Sequence, residues 1–402
     1  MSIKEFIKAR VKSQLAARNN YKVTGIPPMT VVAGASNTVP RLNLVVMGIR
    51  KGALFGGADT AIRLFDAVSP HFQRHRLIVQ SEAEDSFDTE KWAGWDLDSK
   101  PHAGSKTIAF QKQPNFVPQI DESDHFIATN WMSAMFVRSA RRVQSVRRPS
   151  RFIYMIQDYE PGFYPWSGRH LLARATYVPK DDAIAVFNTQ LLHDYFVKND
   201  IVYPMSYAFE PRLSPSLAKH LGKLAGHKKR KLMLVYGRPG TGRNAFDMVV
   251  EALENWSRTD PNAGEWELVS LGEKHRDIKL AKGLVLRSRG KVPLDQYASY
   301  LLDAAVGFSL MASPHPSYPP LEMAEFGALV VTNTFDNKDL SQRVGNIRSV
   351  VETTPVALAA ALQATCEEFS RTTVPASAAR AFLGGEVEFP FLPDLVPKFL
   401  EG

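Results

Sequence analysis

The chain has 402 residues and a formal net charge of +8, from 49 Lys and Arg residues against 41 Asp and Glu residues. Hydrophobic residues make up 45% of it and charged residues 22%, which excludes a disordered chain, a collagen and a disulfide scaffold. This length predicts two domains of roughly 150–200 residues each. The positive charge suits a phosphorylated substrate, nucleic acid or an anionic membrane, and it does not choose among them.

The cysteine count and the lack of long apolar runs indicate the compartment. The one cysteine, Cys366, cannot form an internal disulfide, which favours a reducing compartment. No apolar run reaches the roughly 18 residues that a membrane-spanning helix needs, and the charged, amphipathic residues 1–20 lack the apolar core of a signal peptide. We therefore expect a cytoplasmic protein. Its charge and amphipathic start suggest peripheral contact with the inner face of the cell membrane.

The first half of the chain alternates short apolar runs with helical patterns. A strand is predicted at residues 42–49, followed by a glycine-rich turn and by a helix that starts near Ala58. Further strands are predicted at 76–80, 125–129, 151–157 and 183–188, with helices at 131–146 and 189–198. This alternation predicts a parallel sheet with helices on both faces.

The pattern restarts after a proline-containing break near Glu210. Strands are predicted at 232–236, 266–271, 284–289, 305–311 and 328–333, and helices at 244–256, 294–303, 321–326, 355–371, 376–383 and 392–400. The fold class is therefore α/β, with two doubly wound, Rossmann-like domains facing each other across a cleft. We expect a lead-in at 1–40, domains at 41–213 and 214–384, and a last segment, 385–402, that crosses back to the first domain. Ligands bind beyond the carboxyl ends of such strands, which predicts a site in the cleft.

The most informative segment is Gly237-Arg-Pro-Gly-Thr-Gly-Arg-Asn244, which joins a strand to a helix. Backbone N–H groups at a helix N-terminus attract phosphate, and arginine adds a bidentate donor. The segment nearly matches a Walker loop, but Arg243 replaces the lysine and Asn244 replaces the magnesium-binding hydroxyl. It predicts phosphate binding, against the alternative of a tight turn with solvated arginines. Lys291 also follows a predicted strand directly, which places it at a carboxyl edge.

A rigid, proline-rich loop, Ser313-Pro-His-Pro-Ser-Tyr-Pro-Pro-Leu-Glu322, leads into a predicted helix. Such a loop can present backbone amides and the side chains of Ser313, His315, Ser317 and Tyr318 to a ligand at little ordering cost. Glu322 either accepts hydrogen bonds from ribose hydroxyls or caps its own helix.

Two segments of the first half are candidates for the acceptor side of the cleft. Gly56 and Gly57 either let a ligand approach the backbone closely or simply form a turn. The segment Gln157-Asp-Tyr-Glu160 combines two carboxylates with nearby aromatic rings, which suits a hydroxyl-rich sugar or a packed domain interface.

With these motifs the chain resembles the GT-B glycosyltransferases of glycosyltransferase family 4, and within them the WsaF-type rhamnosyltransferases of bacterial surface glycans. The resemblance covers nearly the whole chain from about Asn43. It implies a retaining, metal-independent transfer of rhamnose from dTDP-rhamnose to a hydroxyl of a surface polysaccharide or lipid-linked glycan.

The resemblance also implies roles for individual residues. Arg238 and Lys291 are expected to stabilise the leaving diphosphate. The donor is expected to bind Gly237, Arg243, Ser313, His315, Pro316, Ser317, Tyr318 and Glu322. The acceptor side is expected to include Gly56, Gly57, Gln157, Asp158, Tyr159 and Glu160. Pro314 replaces the first glutamate of the family's E-x7-E pattern, so backbone amides of residues 313–317 are expected to recognise the hexose.

Two other functions stay open on the sequence alone. A non-catalytic scaffold that binds glycan or membrane would keep the fold and tolerate Pro314, but it would not need Arg238, Lys291 and Glu322. A P-loop-like nucleotide hydrolase would need a lysine at position 243 and a hydroxyl at position 244, and both are absent.

Overall fold

The computed structural model describes residues 25–34, 37–49, 57–100, 104–113, 117–144, 150–178, 181–371 and 380–401. The amphipathic start predicted at 1–20, the acceptor-side candidate Gly56 and residues 376–379 of a predicted helix lie outside these ranges. Residues 380–383, the end of that predicted helix, have no regular secondary structure. As predicted, the fold is α/β, with two Rossmann-like units.

The first unit is built on an eight-stranded sheet in which every strand pairing is parallel. The strands of the first half are β1 Val32–Ala33, β2 Arg41–Val46, β3 Arg74–Val79, β4 Asp96–Leu97, β5 Lys106–Phe110, β6 Gln119–Ile120, β7 Asp124–Ala128, β8 Phe152–Ile156, β9 Ala183–Asn188 and β10 Ser206–Phe209. Their order in the sheet is β10-β9-β8-β7-β2-β3-β5-β4, while β1 and β6 form a separate pair.

This sheet is doubly wound because its strands are apolar on both faces. In β2, Leu42, Leu44 and Val46 belong to one core cluster, whereas Val45 belongs to the cluster on the opposite face. The helices of this half are α1 Gly57–Val68, α2 Trp131–Val143, α3 Gly168–Thr176 and α4 Gln190–Lys198. Apolar residues of α1 enter the first cluster, and those of α2 and α4 enter the second, so both faces are covered.

The second unit is a seven-stranded sheet with the order β13-β14-β12-β11-β15-β16-β17. Its strands are β11 Arg230–Gly237, β12 Glu267–Gly272, β13 Ile278–Lys279, β14 Val285–Gly290, β15 Ala304–Phe308, β16 Leu329–Asn333 and β17 Ile347–Val350. Its helices are α5 Pro215–Ala218, α6 Phe246–Thr259, α7 Leu294–Asp303, α8 Tyr318–Glu325 and α9 Pro355–Arg371. Only the edge strand β13 pairs in antiparallel fashion among the described strands of this sheet.

The strand order of the second sheet fixes the place of a ligand site. From β11 the chain moves to one side through β12 and β14, and it then returns to the other side of β11 at β15. The crevice at such a reversal, beyond the carboxyl ends of the strands, is where doubly wound sheets bind ligands. Here that crevice lies between the loops that follow β11 and β15, which are the two segments singled out in the sequence.

The last helix, α10 Leu392–Leu400, packs against the first sheet rather than the second. The ring of Phe399 is fully buried there, with its centroid 5.3 Å from that of His125 and 6.0 Å from that of Phe72. This helix therefore packs in the core of the first unit. In none of the helices described here are length and apolar character sufficient to cross a membrane.

Candidate active site between the two sheets

The carboxyl ends of the two sheets meet, and side chains from both form direct contacts there. Asp158, just after β8, accepts a hydrogen bond from the Ser313 hydroxyl in the loop after β15. At the end of β9, the Asn188 side chain donates to the Tyr318 hydroxyl over 3.0 Å. The Asn337 side chain donates to the Leu191 carbonyl over 2.8 Å. In this structure, polar side chains therefore form hydrogen bonds across the predicted cleft and close it at these points.

Asp158, which is predicted to lie on the acceptor side, contacts two residues that are predicted to bind the donor. One of its carboxylate oxygens, Oδ1, accepts from Ser313 and from the backbone N–H of Tyr159, 2.8 Å away. The other oxygen, Oδ2, lies 3.9 Å from Nε of Arg243. The Asp158 side chain is 11% exposed, so these contacts are made largely out of water.

Arg243 is held on the opposite side by an aromatic ring of the first unit. Its guanidinium carbon lies 4.1 Å from the centroid of Phe163, a cation–π contact. Its Nε is buried and has no hydrogen-bond partner among the described residues. The Arg243 carbonyl accepts from the Ala312 N–H over 2.7 Å, which ties the glycine-rich turn to the loop after β15. Contacts with both units thus hold Arg243 in place, while its buried Nε–H group makes no hydrogen bond to a described residue.

Arg238 and Lys291 directly follow β11 and β14, and β12 lies between these two strands. Strand spacing places these two ends roughly 10 Å apart, a distance that long side chains can close around a diphosphate. Gly237 precedes Arg238 at a crowded point, where a Cβ atom would overlap the Ser270 hydroxyl and lie 2.8 Å from the Phe246 ring. Glycine is required there by the neighbouring protein atoms.

The turn after β11 offers fewer backbone donors than its sequence predicts. Helix α6 begins at Phe246 rather than at Asn244, because Ala245 adopts a left-handed conformation with φ of 45°. The N–H of Gly240 donates to the Glu273 carboxylate over 2.9 Å. The N–H groups of Asn244 and Ala245 donate to backbone carbonyls of the turn itself. Any phosphate bound here must therefore depend mainly on the arginine and lysine side chains.

The backbone amides of residues 313–317, which were expected to recognise the hexose, donate to neighbouring protein atoms in this structure. The Ser313 N–H donates to the Met311 carbonyl over 3.0 Å. The N–H of His315 donates to the Ser313 hydroxyl over 3.1 Å, and the N–H of Ser317 donates to Nδ1 of His315 over 3.0 Å. Pro314 and the buried Pro316 have no N–H group. The loop therefore uses its backbone donors to hold its own shape.

Glu322 and Tyr318 lie in α8 and face different partners. Helix α8 begins at Tyr318, with prolines suited to its first turn, so Glu322 lies beyond that turn and does not cap it. The Tyr297 hydroxyl donates to Oε2 of Glu322 over 2.7 Å, and burial raises the pKa of this carboxyl to about 7. The Tyr318 hydroxyl is bonded to Asn188 and so belongs to the contact between the units.

Among the acceptor-side candidates, Gln157 has an unpaired polar atom, whereas Tyr159 packs against the core. Gln157 donates to the Thr129 carbonyl over 3.2 Å, and its Oε1 is buried without a hydrogen-bond partner in the described part of the chain. A Cβ atom at Gly57 would overlap that oxygen, so Gly57 allows a close approach by a protein amide. Tyr159 instead packs against a ring cluster that includes Tyr177, with 6.0 Å between centroids.

Glu160 anchors the start of helix α2. Its Oε2 accepts from the backbone N–H of Trp131 over 2.6 Å and from the Tyr177 hydroxyl over 3.0 Å. Burial raises the pKa of its carboxyl to about 8. These contacts commit Oε2 to the packing beneath the loop, and the expected role of Glu160 in orienting an acceptor stays a prediction.

Sequence reasoning missed Lys338, which is 1% exposed and follows β16. Its Nζ donates to the Met311 carbonyl over 2.6 Å, and burial lowers its pKa to about 7 although the charge of Asp158 opposes this shift. The polar segment around it carries no signal of burial. Asn188 was also missed, although a polar residue that ends an apolar strand at a carboxyl edge is a usable signal.

Two facing Rossmann-like units with a polar site between their carboxyl edges define the GT-B class of glycosyltransferases. The structure is similar to sucrose-phosphate synthase of Thermosynechococcus elongatus, with a TM-score of 0.54 and 12% identity over 82% of this chain and 90% of that one. It is also similar to the apo structure of OtsA, with a TM-score of 0.52 and 10% identity over 82% of this chain and 93% of that one. These likenesses show the fold alone.

Two protein-family models match most of the chain. They are described as WsaF, N-terminal domain, over residues 41–190, and WsaF, C-terminal domain, over residues 231–363. The chain belongs to the WsaF family of GT-B glycosyltransferases. The O-antigen biosynthesis protein RfbC of Myxococcus xanthus is 31% identical over 229 residues, which are 55% of this chain and 16% of that protein.

The raised pKa of Glu160 predicts a pH-dependent stability. Below about pH 4.5 the carboxyl is protonated in both the folded and the unfolded protein, so its titration does not change the free energy of unfolding there. Between this value and about 8 the folded protein holds a proton that the unfolded chain has lost, so the free energy of unfolding falls as the pH rises. Glu160→Gln keeps the shape and removes the titration. We expect this variant to gain stability relative to the wild type from about pH 5 to about pH 8.

Urea denaturation of both proteins across that pH range measures the difference. A difference between the two free energies of unfolding that stays constant with pH would show that Glu160 is ionised in the folded protein, contrary to this account.

Proposed function

We propose that this glycosyltransferase moves rhamnose from dTDP-rhamnose, with retention of configuration, onto a hydroxyl of a bacterial surface polysaccharide or lipid-linked glycan. The observation that carries the proposal is the pair of cations, Arg238 and Lys291, at the carboxyl edge of the second sheet beside the crevice. Membership of the WsaF family and the likeness to a protein named for O-antigen biosynthesis support the glycan class.

Charge and position suggest how the donor binds. Arg238 and Lys291 approach the diphosphate from the ends of β11 and β14, on either side of β12. Glu322, held by Tyr297, accepts hydrogen bonds from the ribose hydroxyls. Two cations can neutralise a diphosphate without a divalent ion, so we expect transfer to proceed without added metal.

The reaction is a front-face displacement. The bond between the sugar C1 and the diphosphate oxygen breaks, and a bond from C1 to the acceptor oxygen forms on the same face. The departing phosphate oxygen takes the proton of the acceptor hydroxyl, which leaves dTDP and the new glycoside. Arg238 and Lys291 stabilise the charge that develops on the leaving oxygen, so they favour the transition state over the bound substrate.

The structure disfavours a nucleotide hydrolase. Asn244, at the position where a Walker loop has its magnesium-binding hydroxyl, is buried, and its side chain donates to the Leu310 carbonyl over 3.2 Å. The alternative is a GT-B-like scaffold that binds glycan without catalysis, and an activity assay separates it from the proposed enzyme.

Removal of either cation is expected to slow the transfer step. We expect Arg238→Ala and Lys291→Ala each to lower kcat by about 100- to 1000-fold, because each leaves part of the leaving-group charge unstabilised. Radiolabelled rhamnose transfer from dTDP-rhamnose to a glycan extract measures this, with melting temperatures as a fold check. Arg287→Ala removes an exposed cation from the body of β14 and is the matched control, expected to retain the wild-type rate. Wild-type rates in both site variants would refute the assignment.

We also propose that the first unit contacts an anionic membrane surface. Around α3, Trp166 is 88% exposed, Leu171 65% and Val178 52%, with the exposed Arg174 between the last two. Leu171 and Arg174 lie in α3, and Trp166 and Val178 flank it. Exposed tryptophan, aliphatic and arginine side chains are suited to the headgroup region of a bilayer.

Vesicle sedimentation tests this contact. We expect the double variant Trp166→Ser, Leu171→Ser to bind phosphatidylglycerol vesicles at least about tenfold more weakly, because the apolar area that enters the interface is lost. Val351→Ser, which alters an 80% exposed apolar residue of the second unit, is the control and should bind like the wild type. Equal binding by the double variant would place any membrane contact elsewhere in the chain.

A further inference from the structure

The imidazole of His315 is held in one tautomer by its own loop. The N–H of Ser317 donates to Nδ1 over 3.0 Å, so Nδ1 carries no proton and the neutral ring must carry its proton on Nε2. Burial lowers the pKa of His315 to about 4, and the charges of Lys338 and Arg243 act in the same direction against that of Asp158. The ring is therefore neutral at physiological pH, with Nε2–H as a hydrogen-bond donor.

That donor has no partner. His315 is 6% exposed, and its Nε2 is buried without a hydrogen bond to any described residue. A buried donor left unpaired costs about 1–3 kcal/mol, and native structures contain few of them. The loop has used its backbone N–H groups internally and the Ser313 hydroxyl on Asp158, whereas the His315 Nε2–H is a buried donor left available for a ligand.

The position of the ring suggests what the donor meets. His315 follows β15, which lies on the side of β11 away from Lys291 and β14. Its charged surroundings include Asp158 of the first unit, and its ring lies 5.7 Å from that of Tyr318, whose hydroxyl contacts Asn188. His315 is therefore at the boundary between the units, where a sugar must lie if an acceptor held by the first unit is to attack it.

We propose that His315, through its Nε2–H, donates a hydrogen bond to a hydroxyl oxygen of the transferred sugar and thereby contributes to the choice of donor sugar. This inference rests on the proposed transfer function. A neutral donor suits a neutral hydroxyl, whereas the arginine and lysine side chains suit the charged phosphates. Because Nε2 is shielded from solvent in this arrangement, the sugar reaches it only when the boundary around the Asp158–Ser313 contact opens.

A cycle of enzyme and substrate changes tests the contact. We expect His315→Met to lower kcat/KM for the native nucleotide-sugar by about 10- to 100-fold, which corresponds to the loss of one buried hydrogen bond. The dissociation constant of the nucleoside diphosphate alone should stay unchanged. On the deoxy-sugar analogue that lacks the contacted hydroxyl, the variant and the wild type should react at similar rates. His315→Gln, which can place an amide donor near the same point, should recover part of the loss.

Two outcomes of that cycle would overturn the proposal. Equal losses on every deoxy analogue would show that His315 acts through packing. An equally weakened affinity for the nucleoside diphosphate would show that the ring contacts the phosphates instead.

An NMR measurement on the wild-type protein tests the same contact without an activity assay and without a folded variant. In wild-type protein labelled with 15N-histidine, NMR should show a protonated Nε2 and an unprotonated Nδ1 for His315. Its Nε2–H resonance should move on addition of the nucleotide-sugar and stay in place with the nucleoside diphosphate alone. A resonance that responds equally to both ligands contradicts the proposal. If dTDP-rhamnose is not a donor and another nucleotide-sugar is, the proposed function fails while the same comparison with that donor still tests His315.

Discussion

The carboxylate of Asp158 is the interaction on which the geometry of the site depends. It lies at the end of β8 in the first unit and contacts Ser313 and Arg243 of the second. Its charge also acts on Lys338 and His315. Within a low-dielectric boundary such interactions are much stronger than in water. This carboxylate and the hydrogen bond from the Ala312 N–H to the Arg243 carbonyl together hold the two loops at the crevice of the second sheet.

The charges of the site are distributed by position. Arg238 and Lys291 lie half-exposed and exposed at the edge of the second sheet, where an anion can reach them from solvent. Towards the boundary, burial moves the pKa values of His315 and Lys338 towards their neutral forms. This arrangement suits a ligand with a charged end and a neutral end, which is the chemistry of a nucleotide-sugar.

Much of the fold could be predicted from the sequence, because strands buried on both faces leave continuous apolar runs. The strand predicted at 183–188 coincides with β9, and the helix predicted at 294–303 coincides with α7. The strand β5, with the sequence Lys-Thr-Ile-Ala-Phe, was not predicted. Helix α8 begins three residues before its predicted start, since prolines at 319 and 320 fit a first turn and were treated as loop.

The site was predicted less completely, because its chemistry depends on pairings that local patterns do not contain. The motifs lie in loops that meet at the crevice, but the Asp158–Ser313 contact joins residues 155 positions apart in the chain. The internal hydrogen bonds of the 313–317 loop could not be inferred from its prolines alone. Burial of Lys338 depends on how β16 and the loop after it pack, which its polar neighbours do not indicate.

The central claim is that the crevice between the two units binds a nucleotide-sugar through side-chain cations. A thermal-shift titration tests this claim most directly. The ligands are dTDP, UDP, GDP and ADP with their common sugar conjugates, each with and without EDTA. The account predicts that dTDP and dTDP-rhamnose raise the melting temperature and that EDTA does not change this rise. At 100 times the dissociation constant, binding adds about 2.7 kcal/mol to the free energy of unfolding. A shift seen only with ADP and magnesium, or no shift with any nucleotide, would contradict it.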